Sequence, residues 1–139
     1  MLKLLIVDDE KIIRETMAGL IDWNSLGIQL IGTARDGIEA YNMILDEYPD
    51  IVLTDIKMPG LSGLDLIQKI HGINKDTHFI ILSGYGEFEY AKKAMQYGVK
   101  HYLLKPCNEE QIIESLQDVI KDYTNYLATR GETPQTLIS

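Results

Sequence analysis

The stretch Ile51-Val52-Leu53-Thr54-Asp55-Ile56-Lys57-Met58-Pro59-Gly60-Leu61-Ser62-Gly63 decides how this chain folds. Four apolar or β-branched residues run straight into a carboxylate, and a Pro-Gly turn follows. A continuous apolar run of that length reads as a strand covered on both faces, as in a parallel sheet. Asp55 then stands where the strand leaves the sheet, and Pro59-Gly60 turns the backbone away. Ser62 caps the next helix, with Asp65 three residues on. An acid at the carboxyl end of a central parallel strand is costly for packing but well placed for chemistry, because ligands of open α/β sheets bind at that edge.

Working outward, the same alternation repeats. Leu2 to Val7 reads as a buried strand broken by Asp8-Asp9-Glu10, and Ile12, Ile13, Met17, Leu20 and Ile21 recur at helical spacing. Asp22 to Gly27 is a loop, Ile28 to Ala34 a second strand, and Asp36 with Glu39 a capping pair for a helix marked by Ile38, Tyr41, Ile44, Leu45 and Tyr48. After the central strand, a helix from about Gly63 to His71 places Leu64, Ile67 and Ile70 inward. His78 to Leu82 is the fourth strand, ending in Ser83-Gly84. A helix over about Glu87 to Tyr97 carries Phe88, Ala91, Ala94 and Met95 on one side and stops at Gly98. Val99 to Leu104 is the fifth strand, followed by Lys105-Pro106, a candidate cis peptide. Asn108 and Gln111 form a capping box for a last helix whose stripe is Ile112, Ile113, Leu116, Val119, Ile120 and Tyr123. From Thr124 the chain is polar and without period. The expected organisation is therefore one domain over residues 1–123, with 124–139 a frayed tail or the start of a linker.

Five strands alternating with five helices make an α/β fold, a doubly wound five-stranded parallel sheet with right-handed crossovers. The expected strand order is 2-1-3-4-5, the flavodoxin-like arrangement, with its switch point between strands 1 and 3.

Composition bounds the partners. With 139 residues, 45% hydrophobic and 24% charged, the chain is an ordinary globular domain. A net charge of −8 excludes a phosphate-neutralising basic face, so no nucleic acid contact by this domain and no anionic membrane surface are expected. The N-terminus is strand-like and lacks a leader pattern, which points to the cytoplasm. Cys107, the one cysteine, reads as a small apolar residue rather than a reactive thiol. His71, His78 and His101 show no ligand spacing.

Four strands end in chemically pointed residues: Asp8 and Asp9, Asp55, Ser83, and Lys105. Parallel strands aim their carboxyl ends at one edge, so these side chains converge on one pocket. Carboxylates about 4 Å apart repel by roughly 4 kcal/mol at an effective dielectric near 20. Either some carry protons or a cation lies between them. Hard oxygen ligands with room for water suit Mg²⁺. An ammonium and a hydroxyl beside that ion complete a binding set for phosphoryl oxygens, and Asp55 becomes a nucleophile toward phosphorus.

The Asp8-Asp9 pair, Asp55 with Met58-Pro59-Gly60 and Gly63, Ser83-Gly84, and Tyr102 ahead of Lys105-Pro106 together resemble the receiver domain of two-component response regulators, over roughly Met1 to Tyr123. The resemblance implies a CheY-like (βα)5 fold. It implies a signalling phosphoacceptor rather than an enzyme, taking a phosphoryl group from a sensor histidine kinase onto Asp55. Mg²⁺ is then held by Asp9, Asp55 and the backbone carbonyl of Lys57, with Asp8 acting through water. Ser83 and Lys105 grip the phosphoryl group, Ser83 and Tyr102 form the switch, and the surface of the fourth helix, fifth strand and fifth helix becomes a homodimer or partner face. Asp22-Trp23 through Gly27, and Gly84-Tyr85 through Tyr97-Gly98-Val99 ahead of His101, are similar to Gram-positive regulators that join a receiver to an AraC-type DNA-binding domain, for which 139 residues are too few.

Three other readings compete. A haloacid dehalogenase-type phosphatase needs an acid two residues after its nucleophile, where Lys57 stands. A flavodoxin-like flavin carrier needs a phosphate-cradling loop after strand 1, where Asp8-Asp9-Glu10 repel phosphate. A stand-alone receiver acting by protein contact is the runner-up, and nothing in residues 1–139 excludes it.

Overall fold

Alternate residues of the central strand face opposite sides of a sheet, and in this chain both sets are apolar, so the sheet demands cover on both faces. The computed structural model of the protein describes residues 1–74 and 76–131. Its elements alternate strictly: β1 (Leu2–Val7), α1 (Lys11–Leu20), β2 (Ile28–Ala34), α2 (Gly37–Glu47), β3 (Ile51–Asp55), α3 (Gly63–His71), β4 (His78–Ser83), α4 (Phe88–Met95), β5 (His101–Leu104) and α5 (Glu109–Thr129). All strand pairs are parallel, in the order β2-β1-β3-β4-β5, as expected.

The period of two sorts the core into two layers. Leu4, Ile6, Ile51, Leu53, Ile80 and Leu82 pack against α1 and α5 through Met17, Ile21, Leu116, Val119 and Tyr123. Leu5, Val7, Val52, Phe79 and Ile81 pack on the other side against Ala40, Ile44, Ile67, Ile70 and Ala94. At about 25 cal/mol per Å² of apolar surface removed from water, these layers dominate the folding free energy. Gly63 shows how tightly they close: a Cβ there would stand 2.1 Å from the carbonyl oxygen of Asp55. Only glycine lets α3 begin directly on the end of β3, and Gly63 N–H donates to Ile56 O at 3.0 Å. The Ser62–Asp65 capping box forms as expected, as do the Asp36–Glu39 and Asn108–Gln111 caps.

Several inward stripes need correction. Ile12, Leu20, Ile38, Leu45, Tyr48, Phe88 and Met95 are exposed, and Gly37, Ala40, Ala91 and Ala94 hold the buried positions of α2 and α4. Small residues let these helices lie close to the sheet, which turns their larger neighbours outward. β5 begins at His101 rather than Val99, and α4 ends at Met95 rather than Tyr97.

Helix α5 does not fray at Tyr123 but continues to Thr129. Leu127, one turn after Tyr123, is buried in the same layer. Tyr126 Oη donates to Asp76 Oδ1 at 2.6 Å, and Arg130 reaches the same oxygen. Polar composition concealed this last turn, because its anchors are hydrogen bonds to a distant loop. The remainder of the expected tail, residues 132–139, lies outside the described residues.

Candidate functional site

β1 is flanked by β2 on one side and β3 on the other, so the sheet reverses its winding between β1 and β3. The acids that end those two strands, Asp8 and Asp55, therefore face each other across the crevice where open α/β sheets bind ligands. Both are inside the molecule, with 0% of Asp8 and 5% of Asp55 exposed. Lys105, just past β5, reaches between them: its Nζ lies 3.2 Å from Asp8 Oδ2 and 3.1 Å from Asp55 Oδ2. The Lys105-Pro106 peptide is cis.

Burial is the main influence on Asp55. It pushes the carboxyl up from 3.8 to about 6, against the Lys105 hydrogen bond and charge, with Asp8 adding repulsion and the Lys57 backbone N–H assisting the ion. Burial likewise disfavours the Lys105 ammonium, but Asp55 and Asp8 outweigh it and hold its pKa above the ordinary value. Asp8 has further fixed partners: its Oδ1 accepts from Glu10 N–H at 2.9 Å, and its carbonyl accepts from Arg14 Nη1 at 2.8 Å.

Asp9 is exposed at the mouth of the crevice, where Asp8, Asp9 and Glu10 each bring one carboxylate oxygen within 4.8 Å of the others. Sequence reasoning does not single out Glu10. Asp8, Asp9 and Asp55 against one ammonium leave two negative charges if all are ionised. A divalent cation with hard oxygen preference would balance that charge, so the donor set fits Mg²⁺.

Ser83 ends β4 and is buried, one residue beyond the Asp55–Leu82 pair. Lys57, two residues after Asp55, is exposed, and its ammonium lies 5.8 Å from the centre of the Tyr90 ring. Tyr102 does not lie in the crevice: it is 44% exposed on the outer side of β5. Cys107 is half-buried, and burial pushes its thiol up, away from reactivity.

This arrangement coincides with a family-level match: the profile of the response regulator receiver domain aligns with residues 4–117. The chain belongs to that family. The transcriptional regulatory protein YesN of Bacillus subtilis is 59% identical over 122 residues, which are 88% of this chain and 33% of YesN. HptR of Staphylococcus aureus, also a transcriptional regulatory protein, is 44% identical over 133 residues, 96% of this chain and 52% of its own. The chain thus spans between a third and about half of these relatives. Among solved structures, the REC domain of AraT from Geobacillus stearothermophilus superposes with a TM-score of 0.80 at 34% identity, over 94% of this chain and 98% of that one. A two-component transcriptional regulator AraC from Clostridium phytofermentans gives 0.86 at 34% identity, over 92% and 99%. The CheX-CheY-BeF3-Mg complex from Borrelia burgdorferi gives 0.77 at 28% identity, over 86% and 89%. The fold is therefore that of CheY-like receivers.

At the opposite, amino edge of the sheet this receiver has a cavity of about 560 Å³ lined by His71, His78, Tyr97, His101, Asp122 and Tyr126 among others. His101 Nε2 lies 2.7 Å from Asp122 Oδ2, and burial holds His78 below its ordinary pKa. Sequence spacing could not find this cluster, since its members come from different elements. No helix among the described residues is long and apolar enough to cross a membrane.

Proposed function

We propose that this receiver accepts a phosphoryl group on Asp55 from a phosphohistidine of a sensor histidine kinase. The observation that carries the reading is a buried carboxylate, raised in pKa, held by one lysine it shares with a second buried acid. In the transfer, an Asp55 carboxylate oxygen forms the bond to phosphorus as the phosphorus–nitrogen bond of the donor breaks and the imidazole nitrogen keeps the electron pair. Lys105 moves its hydrogen bond from Asp55 to a phosphoryl oxygen, and the Ser83 hydroxyl takes another. Asp9, Asp55 and the backbone carbonyl of Lys57 would hold Mg²⁺, with Asp8 orienting its water. When bound, the ion supplies charge neutralisation for the phosphoryl oxygens. A Borrelia burgdorferi receiver of the same fold forms a complex with BeF3 and Mg, which supports this chemistry.

The output is transcriptional control. YesN and HptR are both transcriptional regulators, each with length beyond what this chain spans. Tyr102, Leu104, Phe88 and Met95 expose apolar surface on β5 and α4, which supports a homodimer or partner face formed by α4, β5 and α5. DNA contact belongs to parts outside this acidic domain, and the protein is assigned to the cytoplasm with its kinase's transmitter.

Incubation with Mg²⁺ and acetyl phosphate tests the assignment. One phosphoryl group is expected on the native protein and none on Asp55→Asn. Equal labelling of the Asn variant, or labelling that survives EDTA, overturns it.

A further inference from the structure

Backbone direction along β4 places one more group at the phosphoryl site. Leu82 O accepts from Ile56 N–H on the β3 side, at 2.9 Å, and Ser83 O accepts from Lys105 N–H on the β5 side, at 2.8 Å. Successive residues of a strand alternate in this way, so continuing the pattern by one residue turns Gly84's N–H back toward β3, the strand that carries Asp55. That N–H is not open to a ligand. It donates to Glu87 Oε1.

Glu87 occupies the N-cap position of α4, yet its side chain makes no capping bond to its own helix. The half-buried carboxylate instead reaches back three residues and lies over Gly84, where even a Cβ would stand only 3.2 Å from Oε1. An anionic oxygen thus already fills the backbone donor next to Ser83, the residue that the proposed phosphoacceptor reading has grip the phosphoryl group. The backbone carbonyl of Glu87 meanwhile accepts from Tyr90 and Ala91 N–H, so the carboxylate is continuous with the first turn of α4.

We infer that Glu87 is a positioning residue for phosphorylation, acting as an internal stand-in for a phosphoryl oxygen at the Gly84 amide. The inference rests on the phosphoacceptor reading of Asp55. The phosphoryl group must displace this carboxylate, both as a rival acceptor and as a like charge. Displacement frees the loop after β4 to close, and it releases the first turn of α4 at the same moment. Glu87 therefore sets how readily the site fills and couples filling to movement of α4.

Beryllofluoride with Mg²⁺ is the probe, titrated into the native protein, Glu87→Gln and Glu87→Ala. The Gln variant keeps the shape and loses the charge, and the Ala variant loses both. Apparent affinity should rise from native to Gln to Ala, on the order of tenfold in total, as expected for removing a charged competitor for one hydrogen bond. A loop that is merely damaged loses affinity, so the direction of the change separates the two roles. The Gly84 amide resonance should shift in Glu87→Gln and, in the native protein, on adding beryllofluoride. Variants that bind no tighter than the native protein, or a Gly84 resonance indifferent to Glu87, would falsify the assignment. If native Asp55 takes up neither beryllofluoride nor phosphoryl, the phosphoacceptor reading itself fails.

Discussion

The Tyr123 hydroxyl donates to Asp50 Oδ1 at 2.7 Å, joining α5 to the turn that feeds the central strand 73 residues earlier. The other oxygen of Asp50 accepts from Lys3 N–H at 2.8 Å, so a single carboxylate ties together α5, β1 and the start of β3. His78 packs edge-on against the Tyr123 ring, at 5.0 Å between centroids. The amino edge of the sheet is thus closed by a polar clasp, opposite the edge that holds Asp55.

Tyr123→Phe keeps the buried ring and deletes the hydroxyl. A hydrogen bond to a charged group contributes about 1.5–3 kcal/mol, and a loss in that range is expected in urea unfolding, with the slope unchanged. An unchanged midpoint would show that water replaces the hydroxyl at no cost. Asp55 lies at the other edge, so phosphorylation by acetyl phosphate should keep its native rate.

The clasp also shows what the sequence can and cannot tell. Strand order, the capping boxes and the meeting of Asp8, Asp55 and Lys105 are legible, because each follows from local pattern plus the geometry of a parallel sheet. Ile12, Ile38 and Phe88 mislead because helical spacing defines a stripe without saying which of two adjacent stripes meets the sheet. Ala40, Ala91 and Ala94 settle that by packing closely on the sheet; spacing alone sets Ala91 and Ala94 beside Phe88 and Met95 without telling which of the four is buried. The last turn of α5 escapes for a related reason: Tyr126 and Arg130 are held by Asp76, a long-range partner with no local signature. Glu87 reads as an ordinary residue at a helix start, since nothing local tells a helix cap from a clamp on the preceding loop.

The raised pKa of Asp55 makes a prediction about stability. A carboxyl that titrates near 6 in the folded chain and near 3.8 when unfolded binds its proton more tightly in the native state. Stability of the metal-free protein therefore falls as pH rises from about 3.8 to about 6, and the full cost persists above that window. The gap corresponds to about 3 kcal/mol. Asp55→Asn removes the buried charge and leaves Lys105 its bond to Asp8. In EDTA at a pH of about 7.5 this variant should melt about 5–10 °C above the native protein, an advantage that shrinks toward a pH of about 4. Adding Mg²⁺ should stabilise the native protein and leave the variant unchanged, because only the former gains a ligand. A melting difference independent of pH, or equal Mg²⁺ stabilisation of both, would contradict the burial account.

A conformational switch of the kind proposed for Asp55 would depend on how Lys105 is already engaged. Moving a two-state equilibrium from 1:99 to 99:1 takes roughly 5.5 kcal/mol of differential binding. A hydrogen bond from Ser83 to a phosphoryl oxygen contributes about 1.5–3 kcal/mol, which is too little alone. Lys105 cannot supply the whole difference, since its ammonium already bonds Asp55 and Asp8 and would only exchange one anionic partner for another. The balance must come from Mg²⁺ and from closure of the loop after β4. In that proposal, drawing Ser83 toward the phosphoryl group would vacate space beneath β5, where Tyr102, now 44% exposed, pairs in register with Ile81. An aromatic ring with a polar tip gains by filling such a space while its hydroxyl stays near the surface. Tyr102 is therefore expected to rotate inward with beryllofluoride and Mg²⁺ present, changing the apolar surface it shares with Leu104 on β5. Crystal structures or ring-proton NMR with and without the mimic measure this directly, and sedimentation shows whether self-association follows. Tyr102→Ala should bind the mimic within a few-fold of native yet lose the associated change. A ring fixed in its outward position in both states, with self-association unaltered, would leave Tyr102 an ordinary edge-strand residue.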